Sequence, residues 1–360
     1  MAENKKNKSA LAEREGVPQP TTLNLKMVEG LKKFRKKTPS VETLLKGILN
    51  QDQGALSQAI TLIESTALKH QQQAKQIIEG CLPHANKSIR VGITGVPGVG
   101  KSTFIESFGK LLISKGKKVA VLTVDPSSSI SGGSILGDKT RMEELVKEPN
   151  AFIRPSASGD TLGGVARKTR ETNILCEAAG FDVILIETVG VGQSETAVHS
   201  MTDFFLLLKL AGAGDELQGI KRGIMEMADS IVINKADGDN LKAAKMAKNE
   251  FNRALHLYPA KESGWAPKTL LCSALKNEGI AEIWEVVANY FETVKGNSYF
   301  QYKRKEQNKF WLMQTIESRL KSEFYANPSV KVELEKQLQA LDENQTTPFA
   351  AAEKLLSLKR

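Results

Sequence analysis

The stretch Gly95-Val96-Pro97-Gly98-Val99-Gly100-Lys101-Ser102 has the spacing G-x-x-x-x-G-K-S and decides how the rest of the chain is interpreted. The apolar run 89–94 before it predicts a buried strand, and the periodic run 103–114 after it predicts an amphipathic helix. A glycine turn between a strand and a helix N-terminus directs several backbone N–H groups at one point, where the helix dipole adds positive potential. The stretch is therefore predicted to bind phosphate, with Lys101 on the β- and γ-phosphates and the Ser102 hydroxyl on Mg²⁺.

Strand-like and helix-like segments alternate through the middle of the chain. Apolar runs typical of strands occupy residues 89–94, 118–124, 151–154, 183–187, 204–210, 230–233 and 269–272. Near-continuous apolar strands that alternate with helices form parallel sheets covered on both faces, so we predict an α/β fold with a mostly parallel central sheet. The expected segments are a basic, disordered arm at 1–37, a helical extension at 38–87, the α/β domain at 88–297 and a helical C-terminal arm at 298–360.

The segment Asn234-Lys235-Ala236-Asp237 predicts which base the site binds. It follows the apolar run 230–233, so it lies at the carboxyl end of a strand, where open α/β sheets bind ligands. The Asp237 carboxylate can accept hydrogen bonds from both donors on the guanine edge. Adenine presents an acceptor at N1 and would leave that carboxylate unpaired, at a cost of about 1–3 kcal/mol. The pattern therefore favours guanine, with the Lys235 stem lying across the base.

A second loop supports the same base. It follows the last apolar run and consists of Ser273, Ala274 and Leu275. Because its strand belongs to the same sheet, the loop is placed beside the base, and its backbone is predicted to contact the guanine O6.

Carboxylates at two further strand ends indicate a Mg²⁺ site. Glu187 ends the apolar run 183–187 within an E-x-x-G pattern, whose Gly190 can donate its N–H to the γ-phosphate. Asp125 follows the run 118–124, and Asp138 lies farther along the chain. Oxygen ligands of this kind suit Mg²⁺, although an isolated carboxylate is more often a helix cap or a solvated side chain.

Residues predicted to take part in hydrolysis are Lys101, Asp125, Glu187 and Arg141. Small signalling GTPases place a water-orienting glutamine directly after the glycine of the corresponding motif, whereas this chain has Val191 there. We therefore expect slow intrinsic hydrolysis that a partner or a rearranged loop accelerates. Arg141 is the residue of this chain that we expect to support the transition state.

Composition favours a cytoplasmic protein. No apolar run approaches the ~18 residues that span a bilayer, and the N-terminus has no apolar segment typical of a signal peptide. The three cysteines of the chain lie far apart in sequence, which is typical of free thiols in a reducing compartment. Residues 1–37 carry six of the nine net positive charges, but no interleaved aromatics or zinc-ligand spacing, so nucleic-acid binding is not expected.

Taken together, the motifs resemble the MeaB/ArgK family of P-loop GTPases of the G3E type. The matching segments are 95–103, 125–128, 137–142, 187–195, 213–221 and 234–237. The resemblance spans about residues 40–295 and extends the phosphate-binding set to Thr103.

This resemblance implies a GTPase chaperone for an adenosylcobalamin-dependent acyl-CoA mutase, usually methylmalonyl-CoA mutase. Such a protein would gate cofactor loading and protect or reactivate the mutase, with GTP and GDP as ligands and Mg²⁺ as cofactor. It would form a homodimer partly through the C-terminal arm. Segments 125–141 and 187–195 would be switches I and II, and 211–221 an additional switch loop facing the partner.

Three alternatives remain at this stage. A kinase acting on a transport protein or small molecule would need an acceptor pocket and a base, and neither is evident in the sequence. A metallochaperone GTPase would be expected to carry a His-rich tract or clustered Cys and His, whereas the four histidines are scattered. A non-catalytic guanine-nucleotide scaffold is disfavoured by the intact pair Lys101 and Ser102.

Overall fold

A computed structural model describes residues 39–65, 67–124, 141–155, 162–188, 194–212 and 222–358. The predicted arm at 1–37 lies outside these residues, as do Asp125, Asp138 and Gly190. Residues Val41–Arg360 group into one compact unit. The proposed boundaries at 87 and 297 therefore stay predictions, as does the disorder of the arm.

The described part of the chain contains a seven-stranded sheet in the order β3-β2-β4-β1-β5-β6-β7. The strands are β1 (Ile89–Gly95), β2 (Val119–Val124), β3 (Ala151–Arg154), β4 (Val183–Thr188), β5 (Phe204–Leu210), β6 (Ser230–Asn234) and β7 (Lys268–Leu271). Each of the pairings between these strands is parallel. The predicted α/β fold with a parallel central sheet is confirmed.

Helices cover both faces of the sheet and extend from it at both ends of the described chain. They are α1 (Val41–Leu49), α2 (Gln53–Glu64), α3 (Leu68–Cys81), α4 (Lys101–Ser114), α5 (Leu162–Ala178), α6 (Ser194–His199), α7 (Arg222–Met227), α8 (Leu241–Leu255), α9 (Ile280–Gly296), α10 (Tyr299–Ala326), α11 (Pro328–Asp342) and α12 (Pro348–Ser357).

Two large apolar clusters, one on each face of the sheet, explain why the strand sequences are almost continuously hydrophobic. On one face, Phe104 and Phe108 of α4 pack with Tyr290 of α9 against the sheet. On the opposite face, α1, α2, α3 and α5 pack through side chains such as Leu56 and Ile60. The inner strands β1, β2, β4, β5 and β6 are therefore almost entirely buried, as expected for a parallel sheet with helical crossovers, whereas the edge strand β7 is partly exposed.

Strand order determines where functional side chains can meet. Strand β1 lies in the centre, between β4 and β5, with Ile93 opposite Glu187 and Gly95 opposite Leu208. Because the strands are parallel, their carboxyl ends share one edge of the sheet. The carboxyl ends of β1, β4, β6 and β7 therefore lie along that edge.

Candidate functional site

The glycine loop after β1 is shaped by contacts that leave no room for larger side chains. A Cβ on Gly95 would lie 2.6 Å from the Leu208 carbonyl oxygen. Gly100 has a φ of +92°, and a Cβ there would lie 2.7 Å from the Asn234 amide nitrogen. Gly100 also precedes the first residue of α4, so the loop opens directly onto a helix N-terminus. This arrangement provides the ring of N–H donors that phosphate binding requires.

Lys101 lies inside this loop. Its Nζ donates to the carbonyls of Gly95 and Val96, at 2.8 and 3.2 Å, and the residue is only 8% exposed. Burial lowers the pKa of Lys101 below its ordinary value, and the negative charges of Glu187 and Glu195 partly oppose that shift. The ammonium group is thus held next to the point where the loop N–H groups converge.

The predicted phosphate-binding residues occupy one continuous turn. They are Gly95, Val96, Pro97, Gly98, Val99, Gly100, Lys101, Ser102 and Thr103. The structure therefore brings the whole set together between β1 and the first turn of α4.

Two of the four residues predicted to ligate Mg²⁺, Ser102 and Glu187, lie in contact beside the loop. The Ser102 Oγ lies 3.4 Å from Glu187 Oε1, at the end of β4. A hydroxyl and a carboxylate at this separation suit a small hard cation. No group of three or more His, Cys, Asp or Glu side chains within the described residues forms a metal site. Phosphate oxygens and water would therefore have to complete the coordination, together with any ligand from Asp125 or Asp138, which lie outside those residues.

Asn234 connects the phosphate loop to the loops predicted to bind the base. Its side-chain amide donates to the Val99 carbonyl at 2.8 Å, and its Oδ1 accepts from the Ala274 N–H at 3.1 Å. Lys235, with a φ of +57°, donates from Nζ to the Gly98 carbonyl at 2.9 Å. Its stem therefore runs from the end of β6 towards the glycine loop.

Asp237 is oriented by a residue of the second loop. The Ser273 hydroxyl donates to Asp237 Oδ2, and reciprocal backbone hydrogen bonds with Glu278 hold Ser273. Ala274 is buried, whereas Leu275 is 81% exposed and presents its side chain at the rim. The predicted guanine-binding residues of both loops thus lie on one side of the glycine loop.

Arg141 is described and exposed. Its positive charge contributes to lowering the pKa of Lys101, after the larger effect of burial. The structure shows no contact that places it in catalysis. Gly190 and most of the three predicted switch segments lie outside the described residues.

Sequence reasoning did not identify three features of the site. Thr188 Oγ donates to Thr94 Oγ at 2.9 Å, joining the ends of β4 and β1. Glu195, on α6, is half-buried and influences Lys101, and the Ser273 hydroxyl orients Asp237. The threonines stand directly beside the predicted residues Gly95 and Glu187, so their position at strand ends was the available signal.

The fold and the loop define a P-loop nucleotide-binding protein of the α/β class. The family model described as methylmalonyl Co-A mutase-associated GTPase MeaB matches residues 56–329, which is more than half of the chain. The chain belongs to the MeaB family of GTPases, and the resemblance stated from its motifs is confirmed.

Individual relatives agree with this assignment. A probable GTPase of Mycobacterium tuberculosis is 49% identical over 322 residues, which cover 89% of this chain and 95% of the relative. A mouse protein named methylmalonic aciduria type A homolog, mitochondrial, is 43% identical, with 88% of this chain and 79% of the relative covered. The chain is also similar to a crystal structure of a LAO/AO transport system kinase, with a TM-score of 0.71, 37% identity and coverage of 88% and 97%.

Among the helices of the described residues, none combines the length and apolarity needed to cross a bilayer.

Proposed function

We propose that this GTPase is a chaperone for an adenosylcobalamin-dependent acyl-CoA mutase of the methylmalonyl-CoA mutase type, assisting its assembly, cofactor loading and protection. The observation that carries the proposal is the family match over residues 56–329, whose description names mutase association. The name of the mouse relative refers to methylmalonic aciduria, which points to the same metabolic step. The site itself supports guanine-nucleotide binding but does not by itself identify the client.

In this proposal different residues at the carboxyl edge of the sheet bind the phosphates and Mg²⁺. Lys101 exchanges its loop carbonyls for phosphate oxygens, which offer a charged and therefore stronger acceptor. Ser102 and Glu187 hold Mg²⁺, which when bound neutralises charge on the phosphates. Asp125, Asp138 and Gly190 are proposed to complete the γ-phosphate side.

We propose that the loops after β6 and β7 recognise the guanine base through hydrogen bonds. Asp237, oriented by Ser273, accepts from the guanine N1–H and amino group. Asn234 keeps both loops in register with the glycine loop. Arg141 is proposed to support the developing charge during hydrolysis, and the absence of a glutamine at Val191 makes partner stimulation the expected mode of activation.

We further propose that the protein is a cytoplasmic homodimer. All three cysteines are free and buried, in keeping with a reducing compartment. Exposed apolar side chains along the outer face of α10 support self-association through the C-terminal arm. These side chains are Phe310, Met313, Ile316 and Leu320.

One relative supports a second candidate function. The similar crystal structure is described as a LAO/AO transport system kinase, which would transfer the γ-phosphate to an acceptor. Incubation with γ-labelled GTP separates the two: free labelled phosphate supports hydrolysis, whereas label on a protein or small-molecule acceptor supports the kinase.

The chaperone proposal is tested by measuring phosphate release from GTP with and without purified methylmalonyl-CoA mutase. We expect the mutase to accelerate hydrolysis, and Lys101→Ala to abolish both the basal and the stimulated rate because nucleotide is no longer held. An unrelated acyl-CoA enzyme serves as the control and should leave the rate of hydrolysis unchanged. If no adenosylcobalamin-dependent mutase alters the rate, the client assignment fails while the GTPase assignment stands.

A further inference from the structure

Ser107 lies on the inner face of α4, six residues after Lys101, and is only 9% exposed. Its hydroxyl donates to the backbone carbonyl of Ala274 at 2.6 Å. This hydrogen bond joins the helix that begins at the glycine loop to the loop after β7, 167 residues away in sequence. Nothing in the phosphate-binding motif accounts for a hydroxyl at this position.

The direction of this hydrogen bond is unusual for a helical serine. Ser and Thr in helices commonly donate to a carbonyl of their own preceding turn. Other hydroxyls in this protein do so: Ser114 donates to the Leu111 carbonyl at 2.7 Å, and Thr172 donates to that of Lys168 at 2.9 Å. Ser107 instead donates across to a separate element.

Both backbone polar groups of Ala274 are therefore hydrogen-bonded to side chains of other elements. Its carbonyl accepts from Ser107, while its N–H donates to Asn234 Oδ1. The next residue, Leu275, is 81% exposed, so the loop has little packing of its own beyond this point. Side-chain hydrogen bonds from α4 and β6 thus position the loop relative to the phosphate site, together with the backbone hydrogen bonds between Ser273 and Glu278.

We propose that Ser107 is a positioning residue for guanine recognition: it fixes the Ala274 loop at the distance from the glycine loop that a guanine nucleotide spans. The inference rests on the proposed guanine-binding role of the loops after β6 and β7. Ser107 acts through the loop and does not touch the phosphates. Its removal should therefore weaken binding of the base part of the nucleotide and leave phosphate binding unchanged.

The test compares Ser107→Ala with Ser114→Ala, which removes a hydroxyl from the same helix that bonds only within its own turn. Affinities for GDP, GTP and inorganic tripolyphosphate are measured by titration calorimetry or competition. A neutral hydrogen bond contributes about 0.5–1.5 kcal/mol, so Ser107→Ala should bind GDP and GTP about two- to twelvefold more weakly. Tripolyphosphate affinity should match that of the unaltered protein, and Ser114→Ala should match it for all three ligands.

Two results would overturn the proposal. One is unchanged GDP affinity in Ser107→Ala. The other is an equal loss for GDP and tripolyphosphate, which would indicate general loosening of α4 and not a role in placing the base. Thermal unfolding without nucleotide shows whether each variant is folded. ATP binding as tight as GTP binding in the unaltered protein would instead refute the guanine site itself, independently of either variant.

Discussion

At the scale of single residues, the site depends on side chains that connect loops as much as on those expected to touch nucleotide. Asn234 contacts the Val99 carbonyl and the Ala274 N–H with one amide group, so it joins the loops after β1, β6 and β7. Asp237 is oriented by Ser273, and Thr188 is joined to Thr94. Hydrogen bonds thus join the loops at this edge of the sheet, and preorganisation of this kind lowers the entropy cost of binding.

Asp237→Asn should shift base preference from guanine towards xanthine. An amide can accept only one of the two guanine hydrogens, while its NH₂ can donate to the second carbonyl of xanthine. With about 1–3 kcal/mol for each unsatisfied polar group, GTP affinity should fall about tenfold to a hundredfold. Competition binding with GTP, XTP and ATP measures the change.

The matched control for this substitution is Asp239→Asn, an exposed carboxylate in the next turn of the chain. It should leave base preference unaltered. Equal GTP affinities in the two variants would contradict the role given to Asp237.

At the scale of elements, helix α10 is anchored under the sheet by a buried network of charges. Arg304 contacts Asp203 at 2.7 Å and Glu177 at 3.6 Å, and Glu177 also pairs with Arg90 at 2.9 Å. Burial disfavours ionisation of Asp203, but Arg304 and the backbone N–H of Arg90 hold the pKa of Asp203 below its ordinary value. This network lies at the amino ends of the strands, opposite the nucleotide edge.

The same helix also holds the short connection between α6 and β5. Gln307 donates to the Thr202 carbonyl at 2.8 Å, and Trp311 donates to that of Ser200 at 3.2 Å. Lys303 donates to the Asp203 carbonyl at 2.8 Å. Helix α6 begins within the predicted switch II (187–195), so the C-terminal arm contacts the connection that directly follows that helix.

Arg304→Met should destabilise the protein strongly. The substitution leaves Asp203 without its charged partner in a buried setting, and breaking a buried pair from one side typically costs about 3–5 kcal/mol. Urea or guanidinium unfolding at neutral pH measures the loss. Arg319→Met is the matched control on the same helix.

Arg319 pairs with Glu323 at 2.9 Å, but their side chains are 80% and 56% exposed. An exposed helical pair of this kind contributes about 0.3–0.5 kcal/mol. Comparable losses in the two variants would show that the buried network does not anchor α10.

At the scale of the whole molecule, one face of α10 is buried against the rest of the protein and the other is exposed. Arg304, Gln307 and Trp311 face the sheet and are buried, with the Arg170 guanidinium 5.0 Å from the Trp311 ring centroid. The outer face instead exposes the large apolar side chains of Phe310, Met313, Ile316 and Leu320, between 44% and 56% exposed. Contiguous apolar surface of this kind marks an interaction site, and it supports the proposed dimer.

The double substitution Met313→Glu and Ile316→Glu should convert a dimer into a monomer, because two charges would be buried unpaired in the interface. Light scattering coupled to size-exclusion chromatography, over a range of concentrations, measures the mass. Leu257→Glu is the control, since Leu257 is 87% exposed elsewhere on the surface. A mass that stays at the dimer value in the double variant, or a monomeric unaltered protein, would contradict this arrangement.

Local pattern alone determined much of this protein. Apolar runs located the seven strands to within about one residue, because strands buried on both faces leave little freedom in composition. Spacing also led to the predictions for the phosphate loop, Glu187 and the Asn234 to Asp237 segment, since each lies at the end of a strand. The motifs were sufficient to place the chain in its family.

Only the tertiary structure decided how distant segments are joined. Ser107 and Ala274, or Arg304 and Asp203, lie more than a hundred residues apart, and no periodicity relates them. The same holds for the direction of each hydroxyl, because a helical serine can donate to its own turn or across to a neighbour. Such contacts form only when the sheet assembles and brings the strand ends together. No local pattern in the sequence therefore predicts them.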